Sequence, residues 1–245
     1  MGYRLVISRW LFWVGFEWAV MALLLFLGAS YPLLWPLVVL VVGTRQHALA
    51  VLGHETVHCA IGVDYQTNDR LGNLLCLWPI LSDVQGFRRF HIQHHQFVGT
   101  NLDPERQIRV PFLDRWTNLT PERKRTLILQ DLAGMSIDEA LSILRETRGK
   151  ITWQRSVYCV GFACVVVACL GWAALLAWYL ALVTSNLAAM RGRMWREHLG
   201  EEVTEVYVAK WWERALYLPH YIWRHEAHHR HGNWSTSCWD LARGD

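Results

Sequence analysis

The run SVYCVGFACVVVACLGWAALLAWYLALVTSNLAAM, residues 156–190, contains no charged side chain in 35 consecutive positions. One straight helix of that length would extend about 52 Å, well beyond a hydrocarbon core of about 30 Å. Two short spans turning near Gly171 fit the run better. Towards the N-terminus, residues 10–29 carry a single charge, Glu17, and are long enough to cross a bilayer as a helix. Arg4 and Arg9 precede this stretch and Leu27-Gly28-Ala29-Ser30 follows it, so a cleavable signal peptide has to be weighed. The apolar stretch exceeds a typical signal core and runs on into a second apolar segment, so it is read as a retained span. Tyr31-Pro32 and Trp35-Pro36 break the helix, and a second span covers residues 37–53. Arg45, Gln46 and His47 in its later half are expected to face protein or the membrane boundary. Residues 71–81 are apolar but too short to cross, which makes them an interfacial or re-entrant candidate.

Charge orients these spans. All 24 Lys and Arg residues fall in the N-terminal stub, within residues 45–155 or after Met190, and none lies at the turns near 30–36 or 171. Four spans put both turns on one side and every basic segment on the other, as the positive-inside rule requires. The expected fold is therefore an all-α integral membrane protein. Four transmembrane helices form two hairpins, with a cytosolic helical cap, and residues 1–245 make a single domain. A hydrophobic content of 53% with 15 Trp agrees with that class. The net charge of +3 and the lack of a long basic run exclude a nucleic-acid-binding tail. The six cysteines form no C-x-x-C pair and read as small buried hydrophobes rather than a disulfide or metal framework.

Within the cap, Thr120-Pro121 predicts a helix start. Ser136-Ile137-Asp138-Glu139 predicts a capping box, with Gly149 closing that helix. Ile137, Ala140, Leu141 and Leu144 form its apolar face, suited to a structural cover rather than a partner-binding helix.

The 12 histidines are clumped, and the clumps are spaced. His54-Glu55-Thr56-Val57-His58 reads H-x-x-x-H; His91-Ile92-Gln93-His94-His95 and His225-Glu226-Ala227-His228-His229 both read H-x-x-H-H. On a helix, positions i and i+4 share a face and i+3 lies beside them, so each cluster can aim two or three imidazoles at one point. Eight convergent imidazoles exceed what one tetrahedral metal uses, so a pair of metal ions is the natural reading.

With paired spans before the first and third clusters, this trio resembles the membrane fatty acid desaturase/hydroxylase superfamily, over most of the chain from the first span to residue 231. Thr100-Asn101 and Asp103-Pro104 after the second box, and Arg191 and Glu197-His198 after the last span, match as well. The resemblance implies a metal site of His54, His58, His91, His94, His95, His225, His228 and His229. Relatives carry a ninth histidine ligand before the third box, and His198 occupies that place. It also implies two iron ions, O2 as co-substrate and an external donor of ferredoxin, rubredoxin or cytochrome b5 type. The reaction would be desaturation or hydroxylation of an acyl or other hydrocarbon chain at the cytoplasmic side. Iron itself comes from the resemblance, because imidazole also suits zinc and copper. Neutral imidazoles leave the metals more positive than the carboxylate-rich sites of soluble di-iron bundles. Two departures, Met194 where some acyl desaturases carry Asn and the polar Arg230-His231-Gly232-Asn233-Trp234 after the third box, bear on substrate rather than on metal.

Lesser expectations attach to other residues. His47 lies about 10 Å along the helix from His54, too far to share its metal, and either supports the site or packs. His220 and His231 are hydrogen-bonding neighbours. Glu17 lines a cavity or is buried in a pair. Asn101, Asp103 and Glu197 are candidates to orient ligand imidazoles, and Trp78, Trp195 and Trp223 to line a substrate slot. No haem or iron–sulfur cysteine pattern is present, so electrons come from a separate partner. His54-Glu55-x-x-His58 also satisfies the H-E-x-x-H signature of a zinc metalloprotease, here intramembrane. That alternative leaves both H-x-x-H-H clusters without a task. A metal transporter would need more polar residues inside the spans.

Overall fold

In the computed structural model, which describes residues 3–98, 100–109, 120–197 and 208–230, every regular element is a helix. In chain order these are α1 (Tyr3–Ser30), α2 (Trp35–Val57), α3 (Tyr65–Gly72), α4 (Val84–Phe97), α5 (Pro104–Arg109) and α6 (Pro121–Leu132). There follow α7 (Ile137–Thr147), α8 (Trp153–Leu170), α9 (Trp172–Val183), α10 (Ser185–Glu197), α11 (Trp211–Leu216) and α12 (His225–Arg230). Four stretches are long and apolar enough to cross a membrane: Val6–Ser30, Pro32–Val57, Trp153–Leu170 and Trp172–Trp195.

The breaks between them follow local chemistry. A short 3-10 turn, Pro32–Leu34, separates α1 from α2, and Pro36 sits in the first turn of α2, where a missing N–H is harmless. α8 and α9 meet at Gly171 alone, whose φ of +85° disfavours any residue with a Cβ. The last span is itself interrupted, which an uncharged run does not reveal. Thr184 leaves helical geometry at φ −120° and ψ −88°, and its hydroxyl donates to the Leu180 carbonyl at 2.6 Å.

α2 is the central element, with α1, α9 and α10 packed along it. The approach of α10 is close: a Cβ on Gly43 would meet the Asn186 backbone nitrogen at 2.6 Å, and the Ser185 hydroxyl donates to the Val39 carbonyl at 2.6 Å. Trp10, Met21, Leu49, Leu52 and Trp178 fill the core. Phe12, Phe26 and Leu176 stand exposed on the outer faces of α1 and α9, and Leu33 on the turn between α1 and α2, the surface that a lipid environment accepts. Gln46 and His47 are buried as expected, and Arg45 pairs with Glu17 at 3.4 Å.

Residues 71–81 end α3, form a π turn over Asn73–Leu77 and a 3-10 turn over Trp78–Ile80, and push Cys76, Leu77 and Ile80 into the core. Such backbone has carbonyls without helical partners, and aromatic side chains supply them. Trp18 Nε1 donates to Leu75 at 2.8 Å, Trp178 Nε1 to Pro79 at 3.0 Å, and the Tyr158 hydroxyl to Leu74 at 2.7 Å.

In the cap, Thr120 starts α6 as its sequence predicts, its hydroxyl accepting from the Arg123 backbone N–H at 3.2 Å. The capping box expected at Ser136 does not form, because Ser136 makes no side-chain cap and Glu139 turns inward. Its carboxylate accepts from Arg191 Nη2 at 2.7 Å, and the same guanidinium holds Asp131 at 2.6 and 2.8 Å. A buried cation outcompetes a backbone amide for that carboxylate. The trio ties α6 and α7 to α10. The face of α7 is rotated from the one expected: Ala140, Ile143 and Leu144 line a cavity, while Ile137 and Leu141 are exposed.

Candidate metal centre

Three helix segments carry the histidine boxes to one place. His54 is in the last turn of α2 and His58 is its C-cap residue. His91, His94 and His95 lie on α4, and His225, His228 and His229 on α12. Helical spacing then sorts them into two groups. The ligand atoms of His54, His58, His91, His95 and His228 lie within 4.8 Å of one another, and so do those of His94, His225 and His229. On α4 the i, i+4 pair His91 and His95 faces one group and His94 the other. On α12 the pair His225 and His229 faces the second group and His228 the first. The groups adjoin, with the His95 and His229 rings stacked 4.2 Å apart.

Distances inside the groups are short. Nε2 of His91 lies 2.7 Å from Nε2 of His54 and 2.8 Å from Nε2 of His95, and the Nε2 atoms of His225 and His229 are 2.9 Å apart. Neither group includes a carboxylate among the described residues. Burial pushes the His58 imidazole down to about 3 and the His95 imidazole down to about 4, with neighbouring imidazoles adding to the effect. His91 and His228 are lowered for the same first reason. All four are thus neutral near pH 7, the state in which imidazole binds a metal. Nε2 of His58 is buried without a hydrogen-bond partner among the described residues. A metal ion is the partner that such converging, neutral nitrogens fit.

Asp103 orients one of these rings. His94 Nδ1–H donates to Asp103 Oδ1 at 2.9 Å, which fixes the tautomer and leaves Nε2 as the available donor atom. Glu105, at 3.6 Å from the same Nδ1, adds a second carboxylate that the sequence reading did not single out. Asn101 is exposed, and its backbone carbonyl accepts from Gln107 rather than its side chain from an imidazole. His198, His231 and the Glu197 side chain lie outside the described residues. His47 reaches the Tyr217 carbonyl at 3.2 Å, and His220 reaches Glu17 at 3.0 Å, so both stand apart from the two groups.

Another residue not singled out is Arg88, one turn before His91. Its Nε and Nη2 each donate at 2.8 Å, to the Val57 and Thr56 carbonyls at the open C-terminus of α2. The guanidinium also binds both oxygens of Asp69, at 2.6 and 3.0 Å. The first box is thereby fastened to the helix of the second. Only the presence of Arg within a box helix could have drawn attention to it.

A cavity of about 110 Å³ borders the histidines. His54, His91, His94 and His225 form one wall, and apolar residues such as Leu77, Phe87, Phe90 and Met194 most of the remainder. None of the three tryptophans expected there borders it. Trp78 donates to Asp83 at 3.2 Å, Trp195 lies 5.8 Å beneath Lys124, and Trp223 lies 4.3 Å beneath Arg214. Glu55 is buried beside His54 but belongs to neither histidine group, unlike the paired ligands and glutamate of a zinc protease. Compared with known proteins, the chain matches the fatty acid desaturase family over residues 29–242. No curated protein and no solved structure gives a significant match.

Proposed function

The chain belongs to the fatty acid desaturase family, and from that premise we propose that it is an integral membrane oxidoreductase that desaturates or hydroxylates a lipid-borne hydrocarbon chain. It uses O2 and electrons from a separate donor protein of ferredoxin, rubredoxin or cytochrome b5 type. The observation that carries this reading is the meeting of eight imidazoles, five buried and three half-buried, from three distant stretches of chain, beside a mostly apolar cavity. Family membership supports the oxidoreductase class, and the four apolar helices support the membrane setting.

In this reading His54, His58, His91, His95 and His228 hold one iron and His94, His225 and His229 the other, with His198 as a further ligand. Bound there, a di-iron pair supplies reductive O2 activation for attack on an unactivated C–H bond. The protein's own residues do the rest. Burial keeps His58, His91, His95 and His228 neutral, Asp103 holds the His94 proton at Nδ1, and Arg88 keeps two boxes in register. Leu77, Phe87 and Phe90 press a hydrocarbon against the histidine wall and keep water away from it. In this reading the spans form two hairpins, and the distribution of Lys and Arg turns Pro32–Leu34 and Gly171 away from the cytoplasm. That places the helical cap and the histidines on the cytosolic side, all within one domain.

Full-length protein in detergent, assayed for bound metal and for O2 uptake with a chemical reductant, tests the proposal. Mass spectrometry of membrane lipids after incubation with labelled O2 identifies the product. Iron with reductant-dependent O2 uptake and a modified lipid is the expected result. Bound zinc with oxygen-independent peptide cleavage would replace the reading by the protease one.

A further inference from the structure

Glu17 is 1% exposed inside the apolar stretch Val6–Ser30, where a carboxylate is costly unless it is paired. Its Oε1 lies 3.4 Å from Arg45 Nη1 on α2 and 3.0 Å from His220 Nε2 on the segment joining α11 to α12. Trp13 packs edge-on against the His220 ring at 5.2 Å. The partners of Glu17 therefore come from α2 and from the chain that leads into the third histidine box.

That leading segment, residues 215–222, starts in the last turn of α11 and leaves helical geometry from Tyr217 onward, and the same polar side chains serve its backbone. Arg45 Nη2 donates to the Ala215 carbonyl, and His47 Nε2 lies 3.2 Å from the Tyr217 carbonyl oxygen. Leu218, Ile222 and Trp223 pack with Val51 of α2, one turn before His54. His220 and Tyr221 both adopt left-handed backbone, at φ +52° and +61°. Two such residues in succession persist only where the surroundings fix them.

We propose that Glu17, Arg45, His47 and His220 form a latch that seats residues 215–222 on the two N-terminal spans and so positions His225, His228 and His229. The inference rests on the reading of those imidazoles as metal ligands, but the latch members are positioning residues and bind no metal themselves. Irregular backbone beside apolar spans needs its polar groups satisfied by protein. The lone carboxylate of the first span and the polar run Arg45-Gln46-His47 share that task, with Gln46 donating to the Trp178 carbonyl at 2.9 Å.

The test compares wild type, Glu17→Gln, His220→Asn and the double variant as full-length protein in detergent. Asn tolerates left-handed backbone and His220 lies outside the spans, so His220→Asn decides the matter if Glu17→Gln does not fold. Hydrogen exchange on metal-free protein is followed by titration with ferrous iron. The expected result is faster exchange confined to peptides covering residues 213–230, with α4 unchanged. Iron affinity is expected to fall about 10- to 100-fold, and the double variant to lose no more than the worse single one. Unchanged exchange in residues 213–230, acceleration spread evenly over α2 and α4, or a double loss equal to the product of the singles would each overturn the latch. Wild type that binds no iron would fail the functional reading instead, and the exchange data would still judge the latch.

Discussion

Replacing Asp103 by Ala should release one metal and spare the other. Asp103 accepts a single hydrogen bond from His94 Nδ1, 2.9 Å long, and the two side chains are 7% and 2% exposed. A bond between an imidazole and a buried carboxylate contributes about 1.5–3 kcal/mol. At about 1.4 kcal/mol per tenfold, this is about a 10- to 100-fold loss of affinity, the range found for groups that orient metal-binding histidines. Without the carboxylate, His94 is also free to carry its proton on Nε2, the atom turned to the metal. The loss falls on the group of His94, His225 and His229, because the five-histidine group does not include His94. The assay is competition of an iron chelator with protein in detergent. Wild type should yield its iron in two phases, and Asp103→Ala should accelerate only the faster one. Asp103 also accepts from the Glu105 backbone N–H at 2.9 Å, so the substitution loosens the start of α5 as well. Asp103→Asn separates the two effects, since Asn caps helices well but offers a neutral acceptor, and it should fall between Ala and wild type. If Asp103→Ala releases iron as wild type does, or weakens both phases equally, the assignment of Asp103 to His94 alone is wrong.

Arg88→Leu should lower the unfolding free energy of the metal-free protein by ~3 kcal/mol, since it removes the Arg88 donors to the Val57 and Thr56 carbonyls and takes from Asp69 its ion-pair partner. Thermal unfolding reads this directly, and Arg88→Lys should recover part of it. The metal-free protein should also lose stability in acid. His58 and His95 titrate near 3 and 4 when folded but near 6.5 when unfolded, so the unfolded chain binds more protons as the pH falls below about 6.5. Melting temperatures should therefore be flat above that value and decline from there towards pH 4; a rise in that interval would contradict the burial of these rings. Ala140→Phe should fill the cavity beneath α7, abolishing lipid turnover while iron content stays at the wild-type level, and loss of both together would argue against a separate substrate space.

The spans and boxes were legible because each is written within a few consecutive turns of helix. Hydropathy over residues 156–190 reveals crossing segments, and the i, i+4 spacing of His91 and His95 reveals a shared face. What stayed hidden depends on partners far along the chain. Glu139 reads as a capping-box residue until Arg191 is brought beside it, and Arg88 reads as surface charge until the end of α2 reaches it. The break at Thr184 and the left-handed pair at His220 and Tyr221 have no local signature, because the bonds beside them, Ser185 to Val39 and His220 to Glu17, join residues far apart in the chain. The face of α7 was rotated for the same reason: the pull of Arg191 on Glu139 decides which apolar residues point inward.

Since α4 serves both histidine groups, their offset is built into a single rigid rod. His91 and His94 are separated by fixed steps of about 1.5 Å and 100° per residue, whatever the loops around them do. Lengthening or shortening those loops in an engineered variant would leave that offset intact. A one-residue insertion between His91 and His94 would instead swing one donor away from its companions and uncouple the pair of sites.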